Sequence, residues 1–186
     1  MISFEQLQQQ DIVVATLSYP DIQETAPSLI EDLVVSYENL ILQKLAPLDA
    51  FINLASIYWQ CIDPGFSVFF GQGFLQKAES RFSQVLAIAA EKWSEPPEIK
   101  FWQLYFEHIT LGKPSFEDDC SELVVRDRCT LVPYFYLFVS TWGREYRGQA
   151  TNLLIMCEET PTMKNCYIKS ILTSGIIQPP LTVGRP

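Results

Sequence analysis

Residues 74–112 read FLQKAESRFSQVLAIAAEKWSEPPEIKFWQLYFEHITLG. Phe74, Leu75, Ala78, Phe82, Val85, Leu86, Ala89 and Trp93 recur at three- and four-residue steps, the period of one helical face. Gln76, Lys77, Glu79, Arg81, Gln84 and Lys92 supply the wet side. Pro96 and Pro97 stop this helix, because proline lacks the N–H for the next helical bond and clashes with the preceding turn. Pro97 is suited to open a second helix, and Glu98 complements its positive end. Phe101, Trp102, Leu104, Tyr105, Ile109 and Leu111 are too many for one stripe, so this second helix is expected to be the central one. Gly112 is a natural left-handed stop and Pro114 bars continuation. The linker is a few residues long, which favours antiparallel neighbours.

Ala78, Phe82 and Val85 are spaced like the packing face of a tetratricopeptide-type second helix, and Trp102 with Leu111-Gly112-Lys113 is placed like a following first helix. The hairpin thus resembles one such unit over about forty residues. No second copy follows at a fixed period, and such arrays need about three repeats to be stable. A generic helical hairpin is the reading carried forward.

The flanking sequence extends the same class. Ser3 with Gln6 is placed to cap a first helix that either continues to Leu17 or breaks near Asp11. Tyr19-Pro20-Asp21 reads as a turn. A long helix opens at Thr25-Ala26-Pro27, carries Leu29, Ile30, Leu33, Val34, Tyr37, Leu40, Ile41 and Leu45 on one side, and is expected to run to Pro47. A further helix covers Leu48 to about Ile62, closed by the turn Asp63-Pro64-Gly65. Phe66 to Gly73 reads as a buried connection or a first helical turn. Ser115 and Asp118 suggest a capping box for a short helix to about Arg126. Leu131 to Trp142 is apolar enough for a buried strand or a buried helix, and the helical context selects helix. Gly143 to Gly148 reads as a loop, Gln149 to Glu158 as a helix, and Met163 to Thr173 as the last helix. The expectation is an all-α fold of about seven to nine helices, a bundle or irregular array of antiparallel hairpins. Residues 1–175 form its single domain, and residues 176–186 a non-helical tail.

Composition bounds function. The chain has 186 residues, 48% hydrophobic, which suits one domain with a sizeable core. Acidic residues outnumber basic ones 22 to 13, which disfavours nucleic acid and anionic lipid as partners and suits a basic protein. The N-terminus has no basic region before its short apolar run, so a secretory signal is not expected. No apolar run is long enough for a bilayer. Five cysteines, an odd number, fit reduced thiols in a cytoplasmic protein. Cys120 and Cys129 have the same spacing as Cys157 and Cys166, but structural zinc sites pair ligands more closely. Neither a metal nor a cofactor is expected.

Four features can carry chemistry. The only histidine, His108, neighbours Glu107, but adjacent helical residues point apart, which makes a structural histidine the expectation. Glu117, Asp118, Asp119 and Glu122 form an acidic cluster at a helix start, where carboxylates are favoured electrostatically. Trp142, Arg144, Tyr146 and Arg147 form a basic, glycine-flanked loop able to grip an anion and stack on a flat group. Trp59, Trp93, Trp102 and Trp142 are placed as possible walls of an aromatic pocket. No nucleophile elbow and no phosphate loop occurs in the sequence.

These features predict a non-catalytic intracellular interaction domain, of adaptor, chaperone-like or toxin-neutralising immunity type. It would present an acidic surface to a basic protein partner through Glu117, Asp118, Asp119 and Glu122, or a ligand site through Trp142, Arg144, Tyr146 and Arg147. The alternatives are a small-molecule-binding helical domain with an aromatic pocket, and an enzyme working through the carboxylate cluster.

Overall fold

A computed structural model describes residues 2–17, 25–44 and 46–174. The expected turn at Tyr19-Pro20-Asp21 and the expected tail at 176–186 lie outside the described residues. Among those described, the chain is all-helical, with no strand. Its helices are α1 (Phe4–Ala15), α2 (Ala26–Leu42), α3 (Leu48–Cys61), α4 (Gln72–Trp93), α5 (Pro97–Leu111), α6 (Glu117–Arg126), α7 (Pro133–Ser140), α8 (Arg147–Glu159) and α9 (Met163–Ser174). No described helix is long and apolar enough to cross a membrane.

Consecutive helices pack on one another from α2 through α9, and α1 packs on α2. The last helix returns to the beginning: α9 touches α1, α3 and α7 as well as α8. This closure turns a run of hairpins into one body around a continuous core.

The centre of that body is α3, not α5. All residues from Ala50 to Trp59 are buried, and so is Cys61. The physical reason is legible in its composition: Leu48–Cys61 contains one charged residue, Asp49, and no wet face. In α5, by contrast, Gln103, Leu104, Glu107 and Thr110 remain open on the side turned to a groove with α4. Its aromatic residues nevertheless organise the layer beneath. Phe106 stacks on Trp59 with ring centroids 4.8 Å apart, and Tyr105 shares a 2.6 Å hydroxyl–hydroxyl hydrogen bond with Tyr167 of α9.

Local signals set most helix ends. Ser3 and Gln6 form the expected capping box, and α1 runs unbroken through Asp11. Gly112 ends α5 in the left-handed conformation, φ 61°. The ambiguous stretch 66–73 becomes a 3-10 turn, Ser67–Phe69, before α4 begins at Gln72. Residues 131–142 are helical at Pro133–Ser140. Helix α2 ends at Leu42, short of Pro47, and Lys44 turns the chain with a positive φ of 61°. The expected Ser115–Asp118 capping box does not form. Helix α6 starts after Phe116, with no side-chain cap. Phe116 is buried and stacks on Tyr136 at 3.9 Å, so packing of one ring sets where this helix begins. The 143–148 loop is also shorter than expected, since α8 starts at Arg147.

Two polar nodes tie helices together. Glu38 of α2 accepts from Tyr58 of α3 at 2.7 Å and pairs with Lys77 of α4 at 2.7 Å. Asp11 of α1 accepts from the Tyr37 hydroxyl of α2 and from the backbone N–H of Met163, which opens α9, both at 2.7 Å. Asn53 of α3 donates to the same Tyr37 oxygen at 3.2 Å. A fully buried carboxylate is costly unless it accepts hydrogen bonds, and this one joins four helices.

Candidate functional site

The acidic cluster lies on the first turns of α6. Asp118, Asp119 and Glu122 are exposed and Glu117 is half-buried. Asp118, Glu122 and Val125 stand four and three residues apart and therefore share one face. Val125 is 77% exposed. None of the four carboxylates has an ion-pair partner among the described residues, whereas Glu38, Glu98, Glu107 and Glu158 are each paired with a lysine. Cys120 and Leu123 hold the opposite side of the helix in the core.

The basic loop is built differently from a ligand clamp. Trp142, Gly143 and Tyr146 have positive φ values of 55°, 69° and 57°. Arg144 donates from Nε to the Thr141 carbonyl at 3.3 Å, and Arg147 donates from Nη2 to the Gly143 carbonyl at 3.2 Å. The guanidiniums thus brace their own turn. They form no ion pair among the described residues, so they do not neutralise nearby acids either. Tyr146 packs on Tyr134, with centroids 5.8 Å apart, while Trp142 is 73% exposed.

The expected aromatic pocket does not form from the tryptophans. Trp59 and Trp102 are core residues, Trp93 meets Phe51 edge-on at 5.2 Å, and Trp142 faces solvent. Trp59 and Trp102 both pack on Tyr105 and Phe106 inside the core, away from the exposed Trp142, so the four do not converge on one cavity.

His108 is a tie between α5 and the following loop. Its Nδ1 donates to the Lys113 carbonyl at 2.7 Å, and its ring meets Phe116 and Tyr136 edge-on. Glu107 pairs with Lys113 at 2.6 Å rather than with the histidine. Among the described residues, no carboxylate orients this imidazole. Among the described residues, no group of three or more His, Cys, Asp or Glu is arranged to hold a metal ion.

A polar cleft of about 320 Å³ opens where α1, α3, α5 and α9 meet the 127–132 turn. Asp49, Asn53, Glu98, Asp127, Lys164 and Asn165 are among its walls. The Lys164 ammonium is buried and donates to Glu98 Oε1 at 3.1 Å. Burial alone would pull this ammonium down, but the Glu98 and Asp49 carboxylates outweigh it and hold it above the usual lysine value. Trp102 donates from Nε1 to the same Glu98 oxygen at 3.3 Å. Asp127 accepts from the Thr130 hydroxyl at 2.6 Å and the Cys129 N–H at 2.9 Å, which lowers its carboxyl pKa. Asp49 accepts no hydrogen bond among the described residues. Asn165 donates from Nδ2 to the Thr160 carbonyl at 2.7 Å, but its Oδ1 is buried with no partner.

The sequence reading missed this cleft, although a signal existed. Lys164, Ile168 and Leu172 follow at four-residue steps, so the lysine lies on the buried stripe of α9. A charged residue there demands a buried partner, and Glu98 supplies it from 66 residues away. Comparison with protein-family models, curated proteins and solved structures returned no match.

Proposed function

We propose that this chain is a non-catalytic, intracellular protein-interaction domain that docks a basic partner through the outer face of α6. The observation that carries this reading is the crowding of four carboxylates, Glu117, Asp118, Asp119 and Glu122, onto the first turns of α6 with no ion-pair partner for any of them among the described residues. Four carboxylates this close repel one another, and a cationic surface relieves that repulsion. Val125 adds a small apolar contact on the same face, as docking faces combine charge with an apolar centre. His108 has no orienting acid among the described residues, so its described surroundings do not favour general-base catalysis.

The test is capture from host lysate with the wild-type chain and with a variant carrying Glu117→Gln, Asp118→Asn, Asp119→Asn and Glu122→Gln. A basic protein retained by the wild type at low salt, released by high salt and not retained by the variant supports the reading. Equal retention of that protein by the variant removes it.

A further inference from the structure

We propose that the cleft between α1, α3, α5 and α9 binds a small organic cation bearing N–H donors, a primary ammonium or a guanidinium. Its volume, about 320 Å³, is at the small end for ligand sites. Three carboxylates, Asp49, Glu98 and Asp127, and one ammonium, Lys164, line it. The wall therefore carries an excess of two negative charges. Lys164 is already bonded to Glu98 and lies in the field of Asp49, so it is poorly placed to attract an anion.

Two acceptors in the wall lack a donor among the described residues. Asp49 has no hydrogen bond among the described residues, and Asn165 Oδ1, on a side chain 6% exposed, is buried and unpaired. The buried Asn165 oxygen costs stability unless a donor reaches it, and the Asp49 carboxylate is exposed, so a ligand can reach it. A ligand rich in N–H groups supplies what both lack. The carboxylates are not grouped as metal ligands are, which selects an organic cation over a metal ion. Among the described residues, no aromatic ring lines the cleft. A quaternary ammonium, which is recognised chiefly by aromatic faces, is therefore not its ligand. This inference is independent of the α6 reading, since the two sites share no residue.

Titration calorimetry at fixed ionic strength, with agmatine, spermidine and choline chlorides, tests it on the full chain. Saturable binding of agmatine or spermidine and none of choline is expected. Asp49→Asn, at an exposed position in the first turn of α3, weakens binding about tenfold or more, the value of one charge-assisted hydrogen bond. Glu91→Gln, an exposed acid on α4, leaves it unchanged. The proposal is overturned by absence of saturable binding of both amines at millimolar concentration. It is equally overturned by choline binding as well as they do, or by unchanged affinity in Asp49→Asn.

Discussion

Asp11 Oδ1 accepts the backbone N–H of Met163, 152 residues later in the chain, at 2.7 Å. The first helix thereby supplies the acceptor at the start of the last one. The other oxygen of the same carboxylate accepts the Tyr37 hydroxyl. Replacing Asp11 by Ala leaves two buried donors short of an acceptor, and about 3 kcal/mol of stability is expected to be lost. Asp11→Asn keeps one acceptor and can donate to the Tyr37 oxygen, so it should cost less. Urea unfolding of the three proteins checks the order, and an alanine variant as stable as wild type would sink the account.

The same carboxylate has a pH signature. Burial dominates and raises its pKa above the ordinary 3.8, against lowering by the Met163 N–H, the Tyr37 hydroxyl and the Lys164 charge. Between that ordinary value and the raised one, the folded chain keeps a proton that the unfolded chain has lost. Stability from this group is therefore greatest at acid pH and declines as pH rises through the folded value. The difference in unfolding free energy between wild type and Asp11→Asn should move against wild type over that window. Other carboxylates cancel in the difference, and a pH-independent difference would contradict the prediction.

Core substitutions should rank by helix. Ile57 of α3 is completely buried, whereas Ile88 of α4 is 48% exposed. Ile57→Ala is expected to cost about 2–5 kcal/mol through lost burial and the cavity left behind. Ile88→Ala should stay within about 0.5 kcal/mol. Comparable losses at both positions in chemical denaturation would show that α3 is not the centre.

Two glycines should respond in opposite directions to alanine. Gly112 sits at φ 61°, where a Cβ meets its own backbone, so Gly112→Ala should cost about 1 kcal/mol. At Gly73, in the first turn of α4, a methyl group would meet nothing within 4 Å, and φ is not positive. Gly73→Ala should stabilise by about 0.5 kcal/mol by restricting the unfolded chain. Thermal unfolding resolves the two signs.

Thiol labelling should be sharply uneven. Cys129 is exposed, Cys166 is half-buried, and Cys61, Cys120 and Cys157 are buried. Burial pushes the Cys61 thiol up to about 12 and Cys157 to about 11, and raises Cys120 as well. The thiolate is the reactive form, so these three should react with Ellman's reagent only on unfolding. One fast thiol is expected, abolished by Cys129→Ser. Rapid titration of several thiols in the native chain would mean that the body opens readily.

Of the candidate site, the acidic residues of α6 and the arginine turn were visible as local runs, because each occupies a few consecutive positions. Their surroundings were not. Whether Glu117 to Glu122 found cationic partners depended on which lysines folded beside them. The Lys164–Glu98 pair was beyond reach for the same reason, since its two halves belong to different helices.

Helical class, most helix ends and the structural role of residues such as Gly112 were determined by the sequence alone. They depend on backbone sterics and on apolar spacing within a few residues, and these act before any long-range contact forms. The tertiary structure alone decided that α3 rather than α5 is central, that Phe116 sets the start of α6, and that Asp11 meets Met163. Those outcomes rest on competition among apolar faces for the same interior and on partners for buried polar atoms, and both are properties of the assembled body rather than of any one segment.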